Sequence, residues 1–245
     1  MAVEREERLT TQPLVVKPAY RPAGLFRASA AVAWKDLRAE LRSKETVSAM
    51  FVFALLAIMI FSFALEFDRT GRQASAAGVL WVTLIFAGTL GLGRSLNREK
   101  DQGCLDGLLL APVDRSALYF GKLAGNFIFM MVVAIVLLPL ITVLFDVSMF
   151  KPLVGVVLLM GILGYAGVGT LISSMSVYAR GREVLLPILL LPIALSILIP
   201  AVRATRGLLE GVTFDELRVW FNLLAGTNVI YIALAYMLFD FVVEE

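Results

Sequence analysis

A charged segment between two long apolar stretches carries the residues best suited to contact a partner outside the membrane. It covers residues 98–115 and combines acidic, basic and glycine residues with a proline near its end. Leu105, Leu108 and Leu109 recur at helical spacing on one face, and the charges cannot enter lipid. The pattern predicts a short amphipathic helix at the membrane surface, with an apolar ridge offered to a protein.

This pattern is typical of a coupling helix, the segment of a transporter that an ATPase contacts and through which it moves the membrane helices. The alternative is an interfacial helix that rests on lipid headgroups. The predicted ATPase-coupling residues are Glu99, Gly103, Cys104, Leu105, Asp106, Leu108, Leu109 and Pro112.

Other kinds of chemistry have little support in the sequence. The chain has no histidine and one cysteine, Cys104, which excludes a Cys/His zinc site, bis-histidine haem ligation and an intrachain disulfide. Ser173, Ser174 and Ser176 have no histidine or paired lysine to activate them, so they are interpreted as packing hydroxyls. No Gly-x-x-x-x-Gly-Lys-[Ser/Thr] loop is present, which indicates that any ATP is hydrolysed by another subunit.

Composition places the chain in a membrane. Of its 245 residues, 59% are hydrophobic and 17% charged, and the mean hydropathy is +0.84. A net charge of +2 is too small to suggest nucleic-acid binding. A bilayer core of about 30 Å needs about 20 apolar residues in a helix, and we therefore predict an all-α protein with six spans. The predicted spans are 47–65, 74–92, 118–145, 153–177, 184–202 and 220–241.

The distribution of cationic residues predicts which side each loop faces. Sixteen of the 22 Lys and Arg residues lie before the first span or around the second and fourth loops. Because cytoplasmic loops are enriched in Lys and Arg, both termini are expected in the cytoplasm. The spans lack acidic or basic residues near their centres, which argues against a carrier driven by protons or ions.

Two segments precede the first span. Residues 1–24 are polar and contain three prolines, so we expect a mobile cytoplasmic tail before a single membrane domain over 25–245. Residues 25–44 predict an elbow helix on the inner membrane surface, with Lys35, Asp36, Arg38 and Arg42 facing away from its apolar stripe. The residues predicted to hold this elbow at the membrane surface are Phe26, Trp34, Leu37 and Leu41.

Small residues and one polar cluster give further expectations within the spans. Lys122 is expected to extend from the third span to the headgroups.

The start of the last span is ambiguous. Asn222 and the run Gly226-Thr227-Asn228 allow an outer surface helix over 214–224, followed by a shorter last span. Glycines at small-residue spacing predict close helix packing at Gly121, Gly125, Gly161, Gly164 and Gly167.

Three parts of the sequence resemble one family. They are the elbow from Trp34 to Leu37, the loop from Glu99 to Lys122, and the run from Arg180 to Pro192 that enters the fifth span. The loop is similar to that of permeases of type 2 ABC exporters. The fifth-span run and the Leu238-Phe239-Asp240 ending resemble the CcmB family, the haem exporter B proteins of cytochrome c maturation.

The resemblance implies a non-catalytic permease subunit in a bacterial inner membrane. Its implied partners are a CcmA-like ATPase that carries the ATP, a CcmC-like haem-handling protein, a small CcmD-like subunit and a CcmE-like haem chaperone. Haem would then be cargo of the complex, with no cofactor bound directly by this chain. Six spans make half of an ABC membrane unit, so a homodimer is expected within the complex. The alternatives are a permease for a lipid, glycan or drug, a non-transporting membrane scaffold, and a membrane-embedded enzyme.

Overall fold

Seven α-helices make up the chain over residues 24–65, 69–101, 115–176 and 182–242, which are the residues that the computed structural model describes. Within these ranges there is no β-strand, as the sequence predicts. The helices are α1 (Leu25–Ser43), α2 (Glu45–Ala64), α3 (Arg69–Asp101), α4 (Arg115–Phe145), α5 (Pro152–Ser176), α6 (Arg182–Glu210) and α7 (Phe214–Val242).

Helices α2 to α7 are each long and apolar enough to cross a bilayer, so the prediction of six spans is confirmed. The chain is a multi-pass membrane protein. The spanning segments are Glu45–Ala64, Gly71–Arg94, Ser116–Phe145, Pro152–Ser176, Val184–Glu210 and Phe214–Leu238.

Helices α3 and α5 form the centre of the bundle. In each of them 72% of the most apolar stretch is buried, compared with 17% to 33% in the other four spans. Helix α3 packs against α2, α4, α5 and α6, and α5 also packs against α4, α6 and α7. The peripheral spans expose large apolar side chains, such as Ile60 and Val143, as expected of surfaces that face lipid.

Two short connections, residues 146–151 and 211–213, join spans at the end of the bundle opposite the α1–α2 junction. The residue that follows α4, Asp146, has a positive φ of 52°, and the residue that follows α6, Gly211, has a φ of 81°. A positive φ suits glycine and is tolerated by aspartate, so both residues stop their helices. The backbone N–H of Val212 then donates to the carbonyl of Gly207 at 2.9 Å, which closes the end of α6.

The last span begins earlier than predicted, because α7 is one continuous helix from Phe214 to Val242. The alternative of a separate outer surface helix is therefore wrong. The Asn228 amide donates to the Leu224 carbonyl of its own helix at 2.7 Å instead of capping a new helix. An asparagine that bonds within its own helix is no longer a stop signal.

The orientation of the bundle remains a prediction, and cysteine labelling tests it. In a Cys104→Ser background, Ser148→Cys lies on the exposed α4–α5 turn and Ser43→Cys lies at the exposed end of α1. If the termini are cytoplasmic, an impermeant thiol reagent added to intact cells should label residue 148 and leave residue 43 unlabelled. Permeabilised cells, in which both should react, are the control. The opposite labelling pattern would invert the topology.

Candidate functional site

Helix α1 packs directly on the N-terminal end of the third span, α4. A Cβ atom built on Gly121 would lie 2.5 Å from the Cβ of Val32 and 2.8 Å from the carbonyl oxygen of Ser29. Both distances are shorter than normal van der Waals contact. Gly121 therefore allows two helix backbones to approach as closely as small residues permit in membrane proteins.

A buried ion pair holds the same two helices together. The Lys122 amine lies 2.9 Å from the Asp36 carboxylate, and their side chains are only 4% and 9% exposed. Gly125 leaves room for Asp36, whose Cβ would lie 3.6 Å from a Cβ at the glycine. Asp36 faces away from the apolar stripe of Phe26, Trp34 and Leu41, as predicted, but that direction places it against α4. The prediction that Lys122 extends to the headgroups is wrong, because its amine is buried beside the Asp36 carboxylate.

The order of these contacts gives the direction of α1. Val32 lies beside Gly121, and Asp36, one turn later, lies beside Gly125, also one turn later. The two helices therefore run in the same direction where they touch. That α1 lies at headgroup level stays a prediction.

A second carboxylate of α1 fixes the first span. Glu40 is 7% exposed, and its side chain accepts a hydrogen bond of 2.8 Å from the backbone N–H of Val47, in the first turn of α2. A carboxylate at a helix N-terminus satisfies an otherwise unpaired N–H and interacts well with the helix dipole. Lys44, with φ of 55°, makes the turn between the two helices. Glu45 then lies 4.0 Å from Arg94 on α3, an exposed and weak pair.

The apolar residues predicted for the elbow divide between two environments. Phe26, Trp34 and Leu41 are 85%, 62% and 65% exposed, whereas Leu37 packs at the edge of the hydrophobic core. The helix thus has one face against α4 and a separate aromatic face that no described residue covers. On that face, large apolar side chains are suited to lipid.

The predicted coupling helix lies outside the described residues. Its residues from Gly103 to Pro112 fall between Asp101, the end of α3, and Arg115, the start of α4. Glu99 belongs to the last turn of α3, but its side chain is also outside the described part. The segment is followed directly by α4, which begins at Arg115, two turns before Lys122 of the Asp36–Lys122 pair.

The other predicted packing glycines lie on α5, in the centre of the bundle. The ring of Trp81 lies directly over Gly161, and the Trp81 indole N–H donates to the hydroxyl of Thr205 at 3.0 Å. The Asn228 amide lies against Gly164. At Gly167 it is the carbonyl that is used, because it accepts a hydrogen bond of 3.1 Å from the Tyr119 hydroxyl.

Polar groups inside the bundle bond to one another across helices. The hydroxyls of Thr89 and Tyr165 are 2.6 Å apart, and the Asn126 amide donates to the Thr170 hydroxyl at 3.0 Å. Ser173, Ser174 and Ser176 each donate to a backbone carbonyl. The three serine hydroxyls are therefore used in hydrogen bonds inside the bundle, as expected of packing hydroxyls.

A cleft of about 370 Å³ opens at the opposite end of the bundle from the α1–α2 junction. Its polar lining includes Gln73, Asp146, Lys151, Arg206 and Glu210. The Lys151 amine donates to the Leu208 carbonyl at 2.6 Å, and Arg206 pairs with Glu210 at 2.7 Å. The charged side chains Lys151, Arg206 and Glu210 of the cleft thus bond to other groups of the protein. Across the described parts of the chain, no group of three or more His, Cys, Asp or Glu residues could hold a metal ion.

Sequence reasoning missed the contact between α1 and α4. The signal was present, because Asp36 and Glu40 lie one turn apart and share a face with the small residues Ala28 and Ser29. Lys122, between Gly121 and Gly125, marks the complementary surface on α4.

Comparisons with known proteins give a consistent result. Residues 27–244 match the family model described as "CcmB protein". The chain is also similar to a protein named "heme exporter protein B" from Rhodobacter capsulatus. The two are 26% identical over 201 residues, which cover 82% of this chain and 91% of the relative. The matched region contains α1 from Arg27 onwards and all six spans.

Proposed function

The chain belongs to the CcmB family, and we propose that it is the permease subunit of an ABC transporter that delivers haem to the periplasm for c-type cytochrome biogenesis. The observation that carries this proposal is the family match over residues 27–244, which includes the whole membrane bundle. The similarity to a protein named heme exporter protein B supports haem as the cargo. On this proposal the chain resides in the bacterial inner membrane with both termini in the cytoplasm.

Energy would come from a separate CcmA-like ATPase, since the sequence has no nucleotide-binding loop of the P-loop type. The ATPase would contact the apolar ridge of Leu105, Leu108 and Leu109. The contacts of α1 support a route by which movement of the ATPase could reach the membrane helices. The Asp36–Lys122 pair joins α1 to the inner end of α4, and Glu40 joins α1 to α2, so displacement of α4 would carry α1 and the start of α2 with it.

Haem ligation would be left to other subunits, because the chain has no histidine. We propose a complex of this permease, as a homodimer, with CcmA-like, CcmC-like and CcmD-like subunits that serves a CcmE-like chaperone. The chain itself would be non-catalytic and would bind no cofactor directly.

Deletion of the gene in its native bacterium tests this function. The strain should lose c-type cytochromes, detected by haem staining of gels, and should keep b-type cytochromes, detected by their absorption spectra. Expression of the full chain from a plasmid should restore the c-type proteins, and an empty plasmid is the control. Unchanged c-type cytochromes in the deletion strain would reject the haem assignment and favour a permease for a lipid, glycan or drug.

A further inference from the structure

Burial of both acidic residues of α1 leaves its exposed surface cationic. By sequence, the two carboxylates partly offset the basic residues of this helix. In the structure, however, Asp36 is paired with Lys122, and Glu40 caps the start of α2. Arg27, Arg38 and Arg42 remain exposed on α1, and no carboxylate of this helix is exposed beside them.

The exposed arginines border the aromatic face. Arg38 lies one turn after Trp34 on the helix surface, and Arg42 lies one turn after Arg38. Arg27 lies about two turns before Trp34, on the same side. A large aromatic ring, 62% exposed, is thus flanked along the helix by guanidinium groups. An indole prefers the boundary between headgroups and acyl chains, and a guanidinium group binds phosphate through a fork of N–H donors.

The connection to the first span fixes where this surface lies. Only Lys44 separates α1 from α2, which crosses the membrane from Glu45 onwards. The exposed carboxylate of Glu45 is directed to Arg94 on α3, so among the described residues it is not paired with the arginines of α1. The surface therefore lies where the first span enters the bilayer.

We propose that Arg38 and Arg42, with Arg27 and Trp34, form a binding surface for anionic phospholipid in the leaflet that α1 contacts. The phosphate of the headgroup pairs with the arginines, and the acyl chains pack against Trp34 and Phe26. Complementary charge gives the surface a preference for phosphatidylglycerol over zwitterionic phosphatidylcholine. A docked ATPase is less suited to this face, because Phe26 and Trp34 have the character of a membrane-interface pair.

Fluorescence quenching of the full-length protein tests this proposal. The protein is placed in detergent micelles that contain phosphatidylglycerol or phosphatidylcholine with brominated acyl chains, which quench nearby indoles. Trp81 is buried. The variant Trp34→Phe, measured in parallel, gives the fluorescence of the other two tryptophans, which is subtracted to leave the signal of Trp34. We expect Trp34 to be quenched at a lower mole fraction of phosphatidylglycerol than of phosphatidylcholine.

The variant Arg38→Gln/Arg42→Gln should weaken the selectivity for phosphatidylglycerol by about fivefold for each arginine removed. The matched control is Arg206→Gln/Arg218→Gln, which removes two exposed arginines at the other end of the bundle and should leave the quenching of Trp34 unchanged. Equal quenching by both lipids in the unaltered protein would overturn the proposal. So would an absence of quenching by either lipid, or loss of ATPase binding in Arg38→Gln/Arg42→Gln without a change in lipid selectivity.

Discussion

Replacement of Asp36 by asparagine is expected to lower the free energy of unfolding by about 3–5 kcal/mol, because it leaves the Lys122 ammonium buried without its carboxylate. The two side chains are 9% and 4% exposed and 2.9 Å apart, so solvent cannot take over the lost interaction. Thermal unfolding of the purified protein in one detergent measures the effect. Asp215→Asn is the matched control, since it removes an exposed aspartate from the first turn of α7.

The double variant Asp36→Leu/Lys122→Met separates the effect of the ion pair on stability from the effect of side-chain packing between α1 and α4. It removes both charges while keeping apolar volume between α1 and α4, so it should unfold at a higher temperature than Asp36→Asn. If the ion pair mainly aligns α1 with α4, the double variant should be stable and still support less c-type cytochrome. An Asp36→Asn protein as stable as the unaltered chain would show that Lys122 does not depend on Asp36.

The spans could be predicted from sequence because one physical requirement dominates them. A helix that crosses lipid needs about 20 apolar residues, and α2, for example, begins and ends within two residues of its predicted span. The extra length of α6 and α7 was not predicted. Their polar ends, such as Arg203 to Glu210, continue the helix beyond the apolar core, where hydropathy carries no information.

The contact between α1 and α4 could not be predicted in the same way. Apolar periodicity identifies only the face that carries large hydrophobic residues, and on α1 this is the exposed face of Phe26, Trp34 and Leu41. The face that packs on α4 contains small residues and two carboxylates, since helices in membranes associate through close backbone approach and polar contacts. Recognising it requires the position of Lys122, which is 86 residues away along the chain from Asp36.

The same limit applies to the polar contacts between spans. Trp81 with Thr205, and Asn126 with Thr170, are pairs of residues on different helices, separated by 124 and 44 positions. Each residue alone is an ordinary polar group in an apolar stretch. Its partner is fixed by how the helices rotate against one another, which a single sequence does not contain.

The proposed contact with an ATPase gives the second large expected effect. Leu105→Asp and Leu108→Asp should each prevent co-purification of the ATPase, because a carboxylate would replace an apolar anchor that a docking groove must desolvate. Leu110→Asp is the matched control. It adds the same charge to the same segment, but residue 110 lies well away from the face shared by Leu105, Leu108 and Leu109 at helical spacing.

Two measurements on these variants decide between docking and lipid contact. We expect Leu105→Asp and Leu108→Asp to be present in the membrane in normal amounts, with ATPase recovery and c-type cytochromes both reduced at least tenfold. Leu110→Asp should keep both. If all three variants retain the ATPase, the segment rests on headgroups and the coupling contact lies elsewhere. If all three lose it equally, the segment binds its partner without the helical ridge, since a face-specific contact must distinguish residue 110 from residues 105 and 108.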